Sequence, residues 1–559
     1  MRATRTAALA LAGILSMASI AACSSSGSGG AGSNSKSATT VLNVGMPNGP
    51  QTENNNPFLN TSASRSLGYA RVIYEPLVMY NEVKATDNTK PWLATKWEWS
   101  DNYKKIVFTI RDNVKWSDGQ ALTGDDVAYT FQLLRDNPGI NTDSVKYKDI
   151  SASGNQVTLG FDSSQFVYQK KILEQFIVPK HVWSTYANPA TETVKNPVGS
   201  GPFTLKSFTP QTVTVVARDG YWQDAPAVKE IRYTSYTDNQ AQTTALATGQ
   251  AEWSFVFIPN YQAVYTSKDP AHYKLWFPPV LGIHGLWFNT KVAPWDNPVL
   301  RRAVNMVVNR DDIFTQGEAG YFYPKVDNIT GIPTPAGEKF IAPEYKDKKV
   351  TVDVDGAKKL LTDNGFKFNG DKLADPGGKP VAITLGVPNG WTDYVTDLEI
   401  IKDNMSKIGI AVTTNNTNAD AWTKALDTGD FQGAMHWTNN GATPYDIYQS
   451  IMDGALYKPV GTGGINGNYG RFESADATKA LNDYANAADE TTRTAAMNTL
   501  QKIMVEQMPV IITSAANAGG EYSTKNWIGW PDDSNQYAPA QPTLENALDI
   551  ISHLKPATS

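Results

Sequence analysis

The chain has 559 residues, of which 41% are hydrophobic and 19% charged, with a formal net charge of −6. That composition excludes a disordered or fibrous chain and allows more than one core. The acidic balance without a basic cluster argues against a nucleic-acid partner, and a lone cysteine excludes an internal disulfide.

At the N-terminus, Arg2 and Arg5 precede an apolar run from Ala7 to Met17 and small residues up to Cys23. This is the three-part pattern of a secretory signal peptide over residues 1–22, and the run is too short to span a bilayer. Ile20-Ala21-Ala22-Cys23 matches a bacterial lipobox, so Cys23 is expected to carry a diacylglycerol and to anchor the protein to the outer face of the cell membrane. Loss of the leader would leave 47 basic against 55 acidic residues. Residues 23–38 are Ser/Gly-rich and predict a tether with a reach of about 20 Å.

Val41 to Val44 predicts the opening strand, followed by a polar, Asn-rich loop from Pro47 to Phe58 in which Asn55 and Asn56 are candidate ligand residues. Trp97 and Trp99, a Ser-Asp-Asn turn, and then Ile106, Phe108 and Ile110 alternate as a hairpin with one buried face. Thr123 and Asp126 form a capping box ahead of Val127, Phe131 and Leu134 at helical spacing. A strand over Val213–Val216 and a helix from Ala241 to Thr248 follow. Trp253, Phe255 and Phe257 alternate along a further predicted strand, Ala251 to Phe257.

Asn297 and Pro298 open a helix whose apolar face is Val299, Leu300, Ala303, Val304 and Val307. A shorter helix spans Asp355 to Leu361. Val381 to Leu385 is a near-continuous apolar run, as in a strand covered on both faces. The loop Pro388 to Asp393, a helix through Met405 and a strand at Gly409–Val412 complete a strand–loop–helix–strand unit. In such units the loop at the strand's carboxyl end faces a ligand, which makes Trp391 a candidate. A helix from Ala495 to Gln507 ends at Pro509, and Val510–Ile512 is expected to run back toward the first part of the fold. The glycine-rich run Gly461 to Gly467 lacks the lysine and spacing of a phosphate loop.

Read as a string, Trp97-x-x-Ser-Asp, Phe108-Thr-Ile-Arg111 and Val114-Lys-Trp-Ser-Asp-Gly119, with Leu122-Thr-x-Asp-Asp-Val127, resembles the signature of the family 5 extracytoplasmic solute-binding proteins, the peptide- and nickel-type receptors of ABC importers. Asn196 to Phe203, Tyr221-Trp222, Phe288-Asn289-Thr290 with Arg301-Arg302-Ala303, and Ala357 to Leu361 with Gly365-Phe366 continue that resemblance in order.

The resemblance implies an α/β, two-lobed periplasmic-binding-protein fold of type II, in the large form with an inserted subdomain and a cleft between lobes. The expected division is 39–74, 196–283 and 516–555 for lobe I, 75–195 for the inserted subdomain and 284–515 for lobe II. Crossings near 284–290 and 513–518 would form a hinge. It further implies a non-enzymatic, monomeric receptor without cofactor or metal, working with the transmembrane subunits of an ABC permease.

In peptide receptors of that family a W-x-x-D-Y-x-x-P motif supplies the aspartate that pairs with the peptide's ammonium group. Setting Trp437 and Pro444 on this motif places Asn440 at the aspartate. An amide cannot compensate a buried ammonium but can donate to and accept from hydroxyls. With the other aromatics, this resembles the family's cello-, xylo- and manno-oligosaccharide receptors. Candidate ligand residues are therefore Asn55, Asn56, Trp253, His284, Trp287, Trp391, Trp437, Asn439 and Asn440. The scattered histidines lack metal-ligand spacing, and His284 and His436, although a ligand hydrogen bond is open to each, are better read singly as satisfied structural residues. Competing readings are an oligopeptide receptor and, from a different class, a secreted glycoside hydrolase with paired carboxylates.

Overall fold

The computed structural model describes residues 40–84, 88–438 and 440–557. The leader, Cys23, the tether and Asn439 lie outside these residues.

Two large apolar cores organise the chain. The first joins Val44, Ile231, Trp253 and Ile550 to Trp92, Phe108 and Phe131, so the hairpin region and the N-terminal strands share one interior. A seven-stranded sheet runs through it in the order Tyr273–Trp276, Gly520–Ser523, Trp253–Ser254, Val41–Met46, Glu230–Ser235, Thr212–Ala217, Phe203–Phe208. A separate four-stranded sheet is built on the predicted hairpin, Ala94–Ser100 and Lys105–Ile110, with Gln156–Gly160 and Asp149–Ser153. The second core, from Ile283 to Ala515, surrounds a five-stranded sheet ordered Ala411–Thr417, Ala382–Pro388, Gly433–Trp437, Pro279–Phe288, Val510–Asn517.

One antiparallel ribbon belongs to both. Tyr273–Trp276 pairs with Gly520–Ser523 in the first sheet, and the same two segments continue as Pro279–Phe288 against Val510–Asn517 in the second. The first passage between sheets thus falls before Pro279 and not at 284–290, because residues 284–288 are interior to a single long strand. On the opposite side Phe166 lies beneath the Arg493 guanidinium at 3.8 Å and beside the Tyr484 ring at 5.9 Å.

Local structure follows the sequence patterns closely at the capped helices. Thr123 N–H donates to Asp126 at 2.9 Å at the head of the helix Gly124–Asp136. Asn297 accepts from Val299 N–H at 2.9 Å ahead of Pro298–Asn305. Two expectations fail. The alternation from Trp253 to Phe257 forms a strand only at Trp253–Ser254, because the next amides are taken by side chains, Val256 N–H by the Glu521 carboxylate and Ile258 N–H by the Tyr321 hydroxyl. Ala382–Pro388 is not covered on both faces throughout, since Ala382 and Thr384 are exposed while Ile383, Leu385, Val387 and Pro388 are buried.

The signature residues are spent on architecture. Gly199 and Gly201 let their segment lie on the helix Ala70–Ile73, where a Cβ would stand 1.9 and 2.3 Å from backbone carbonyl oxygens. Tyr221 and Trp222 both donate to the fully buried Glu75, at 2.7 and 3.1 Å, and Trp92 adds a third donor at 2.8 Å. Arg301 donates to the carbonyls of Gln507 and Met508, closing the end of the helix Glu490–Gln507. Asn289 donates to the Gly429 carbonyl at 2.8 Å.

Glu75 predicts its own test. Glu75→Ala leaves three buried donors unpaired and should lower the unfolding free energy by about 3 kcal/mol in urea denaturation, whereas Glu75→Gln, which still accepts, should cost less.

Candidate functional site

The ribbon and the two sheets enclose a cavity of about 400 Å³. It is lined by Pro47, Asn239 and Gln541, and by His284, Ala516 and Asn517 of the ribbon. Trp391, Tyr394 and Trp437, packed on the second core, join Asp393, Thr438 and Asn440, while Phe255, Phe257, Phe322 and Tyr323 come from a small ring cluster of their own. Apolar rings with a few placed polar groups are the ordinary constitution of a small-molecule site.

His284 and Trp437 face each other across adjacent antiparallel strands, so their side chains share one sheet face and meet at 6.4 Å. Trp437 lies 5.8 Å from Trp391, Trp391 lies 5.8 Å from Tyr394, and Tyr323 stacks on His284 at 3.7 Å. His284 Nδ1 and the Tyr394 hydroxyl share a 2.6 Å hydrogen bond. Burial, with some repulsion from His436, pushes His284 down to about 3, so the ring is neutral. The wall is an aromatic face with neutral hydrogen-bonding edges.

Asn440 borders this cavity and a second, charged one of about 560 Å³ that includes Arg65, Lys170, Glu174, Asp446 and Glu545. Its segment is stitched to the ribbon by Thr438 N–H to Ile283 O and Gly441 N–H to Leu281 O, both 2.9 Å. The Asn440 amide lies over Gly282, where a Cβ would stand 2.3 Å from its oxygen. It also helps to hold down the Glu82 carboxyl, which burial pushes up.

Of the residues named from sequence, His284, Trp391, Trp437 and Asn440 come together on this cavity, and Asn439 lies outside the described residues. Four others are corrections. Asn55 is fully buried, donating to Val194 O at 3.1 Å and accepting from the Tyr69 hydroxyl at 2.6 Å. Asn56 is likewise buried, donating to Pro189 O and Glu192 O. Both amides staple the loop to the chain at 189–194 and have little capacity left for a ligand. Trp253 is buried against Trp530 and donates to Ala540 O at 2.6 Å. Trp287 lies three residues beyond His284 on the same strand, and period-two alternation sends it to the other face, against His436 and Tyr469.

Sequence reasoning missed Phe322, Tyr323, Asn517 and Gln541, which lie outside the pattern of any one element. Asp393 and Tyr394 follow Trp391 in the loop and helix start that the strand–loop–helix pattern had indicated.

A family model described as bacterial extracellular solute-binding proteins, family 5 middle, matches residues 88–456, about two thirds of the chain. Among curated proteins, the nickel-binding periplasmic protein of Escherichia coli (strain K12) is 27% identical over 64% of this chain and 68% of its own. The oligopeptide-binding protein OppA of Bacillus subtilis (strain 168) is 24% identical over 85% and 87%. Among solved structures, a periplasmic oligopeptide-binding protein of an oligopeptide ABC transporter from Thermotoga maritima superposes with a TM-score of 0.83 at 24% identity, covering 93% of this chain and 99% of that one. Its mannohexaose-bound form gives 0.79 over the same shares.

The histidine behind the wall sets a pH dependence. His436 stacks on Trp437 at 4.4 Å, and burial pushes it down to about 4. An unfolded histidine takes its proton near pH 6.5, so the unfolded chain binds more protons below that value. The stability contribution is complete above about pH 6.5 and is lost as the pH falls toward 4. His436→Phe keeps a ring in the stack and should remove about 3 kcal/mol of this decline, read as a flatter fall in thermal midpoint over that range.

Proposed function

The chain belongs to the family 5 bacterial extracellular solute-binding proteins, and on that premise we propose that its cleft captures an oligosaccharide of the cello, xylo or manno type for delivery to a membrane permease. As a member it is the extracytoplasmic substrate-binding component of an ABC importer, a receptor and not an enzyme.

The observation that carries the sugar reading is Asn440, an amide beside a wall of rings and next to the buried Glu82. A carboxylate at 440 would crowd a second acid against Glu82, an arrangement that repulsion and desolvation disfavour. An amide there can exchange hydrogen bonds with hydroxyls, while Trp391 and Trp437 offer flat faces to the apolar side of a sugar ring. Among the described residues, no lysine or arginine lines this cavity. The mannohexaose-bound Thermotoga maritima protein is a supporting parallel at the level of fold. A peptide ligand is the second reading, favoured by the names of the curated relatives.

Calorimetry with the three oligosaccharide series and a mixed peptide pool separates the two. For a sugar, Asn440→Ala should lose on the order of 1–3 kcal/mol, and Asn440→Asp should also weaken binding. For a peptide, Asn440→Asp would supply the missing anion and should tighten it. Peptide binding strengthened by Asn440→Asp, with no sugar response in either form, overturns the sugar reading.

The anchor and the motion complete the proposal. We read the two cores as lobes that close over the ligand about the 273–288 and 510–523 ribbon, with the Phe166–Arg493 contact on the far side. Ligand should shrink the radius of gyration in small-angle scattering, and Phe166→Ala should enlarge it in the unliganded protein; no change in either disposes of the closure model. Cys23→Ser should abolish membrane retention in detergent partition, since a hydroxyl cannot form the thioether; unaltered retention rules out the lipid anchor.

A further inference from the structure

A neutral ligand leaves one part of the cleft wall uncompensated. Asp393 sits in the first turn of the helix Thr392–Ser406, lines the cavity, and is 8% exposed. Burial pushes it up to about 6, against the pull of the backbone amides at its own helix start. The groups around it are Glu318 and Asp397, both fully or almost fully buried, the phenols of Tyr321, Tyr323 and Tyr394, and the neutral His284. Asp397 can approach the segment before Glu318 because residue 317 is glycine, where a Cβ would stand 1.7 Å from Asp397 Oδ1. Burial pushes both Glu318 and Asp397 well above the carboxylate range; the Asp397 charge raises Glu318 further, while the hydrogen bond from the Glu318 carboxyl holds Asp397 down, so the two retain a proton between them.

Asp393 is therefore the exposed end of an acidic cluster. Among the described residues no lysine or arginine pairs with it, and none lines the cavity. A carboxylate enclosed by rings with no counter-ion is costly, and a cation from the ligand is the direct remedy. Tyr323, Trp391, Tyr394 and Trp437 line the same cavity, and aromatic rings attract a cation brought close to them.

We infer that Asp393 is the ammonium-binding residue of this cleft and that the preferred ligand is an oligosaccharide carrying a protonated amino group, an inference that rests on the sugar reading above. The cavity would then hold sugar faces on its rings, hydroxyls on Asn440, and one ammonium on Asp393.

Calorimetry at near-neutral pH with four probes tests it. These are a β-1,4-linked glucosamine tetramer, the matching N-acetylglucosamine tetramer, cellotetraose and tetraalanine. The glucosamine tetramer should bind the wild type about tenfold tighter than either uncharged tetramer. In the isosteric Asp393→Asn variant, verified as folded by thermal unfolding, that ratio should collapse toward one. If an uncharged tetramer binds the wild type as tightly as the glucosamine tetramer, or if the variant keeps the wild-type ratio, the ammonium site is overturned and the oligosaccharide reading stands. If tetraalanine alone gives heat, or no probe does, both are overturned. The wild-type comparison decides by itself should the variant fail to fold.

Discussion

The antiparallel ribbon of 273–288 against 510–523 is the constraint from which the rest of the molecule follows. Two hydrogen-bonded segments belong to both sheets, so one ribbon ties the two sheets together, and the ring cluster of Phe255, Phe257, Tyr321 and Phe322 packs the two halves further. The ring-lined cavity lies beside the ribbon, since His284, Ala516 and Asn517 are ribbon residues that line it. Asn440 reaches the cavity because its segment is hydrogen-bonded to this ribbon at Leu281 and Ile283.

Electrostatics then divides the interior. On one side of Asn440 lies the ring-lined cleft, with the neutral His284 and the carboxyl of Asp393, backed by the buried Glu318 and Asp397. On the other, Arg65 and Arg71 pair with Glu545 at 3.2 and 3.3 Å, and Lys170 pairs with Glu174 at 2.9 Å. Glu82, near Lys170, is the charge that makes an amide at 440 physically reasonable. Among the described residues lining the cleft, Asp393 is the carboxyl without a lysine or arginine partner.

The residues that make the chain recognisable are not the residues that line its cavity. Glu75 with Tyr221 and Trp222, Arg301 at the end of a distant helix, and Asn289 at the Gly429 carbonyl each satisfy buried polar groups over long sequence separations. Such groups tolerate few substitutes, because each removal strands its partners. Cavity rings such as Tyr323 and Phe322 belong to a small apolar cluster with Phe255 and Phe257 and carry no comparable pattern.

The sequence alone determined the local structure and the family. Capping residues such as Thr123, Asp126 and Asn297 act on neighbours within a few positions, and period-two patterns locate hairpin strands whatever surrounds them. It also placed Trp391, Trp437, His284 and Asn440 on the cavity, by the strand–loop–helix pattern and by resemblance. The exclusion of Trp287 was available too, since residues three apart on a strand cannot share a face. Tertiary structure alone decided that Asn55, Asn56 and Trp253 are spent on backbone carbonyls at residues 189–194 and 540, partners that no local pattern reveals. It alone decided that, among the described residues, no lysine or arginine pairs with Asp393, because a counter-ion is a property of every element packed around a group and not of the residues beside it in the chain.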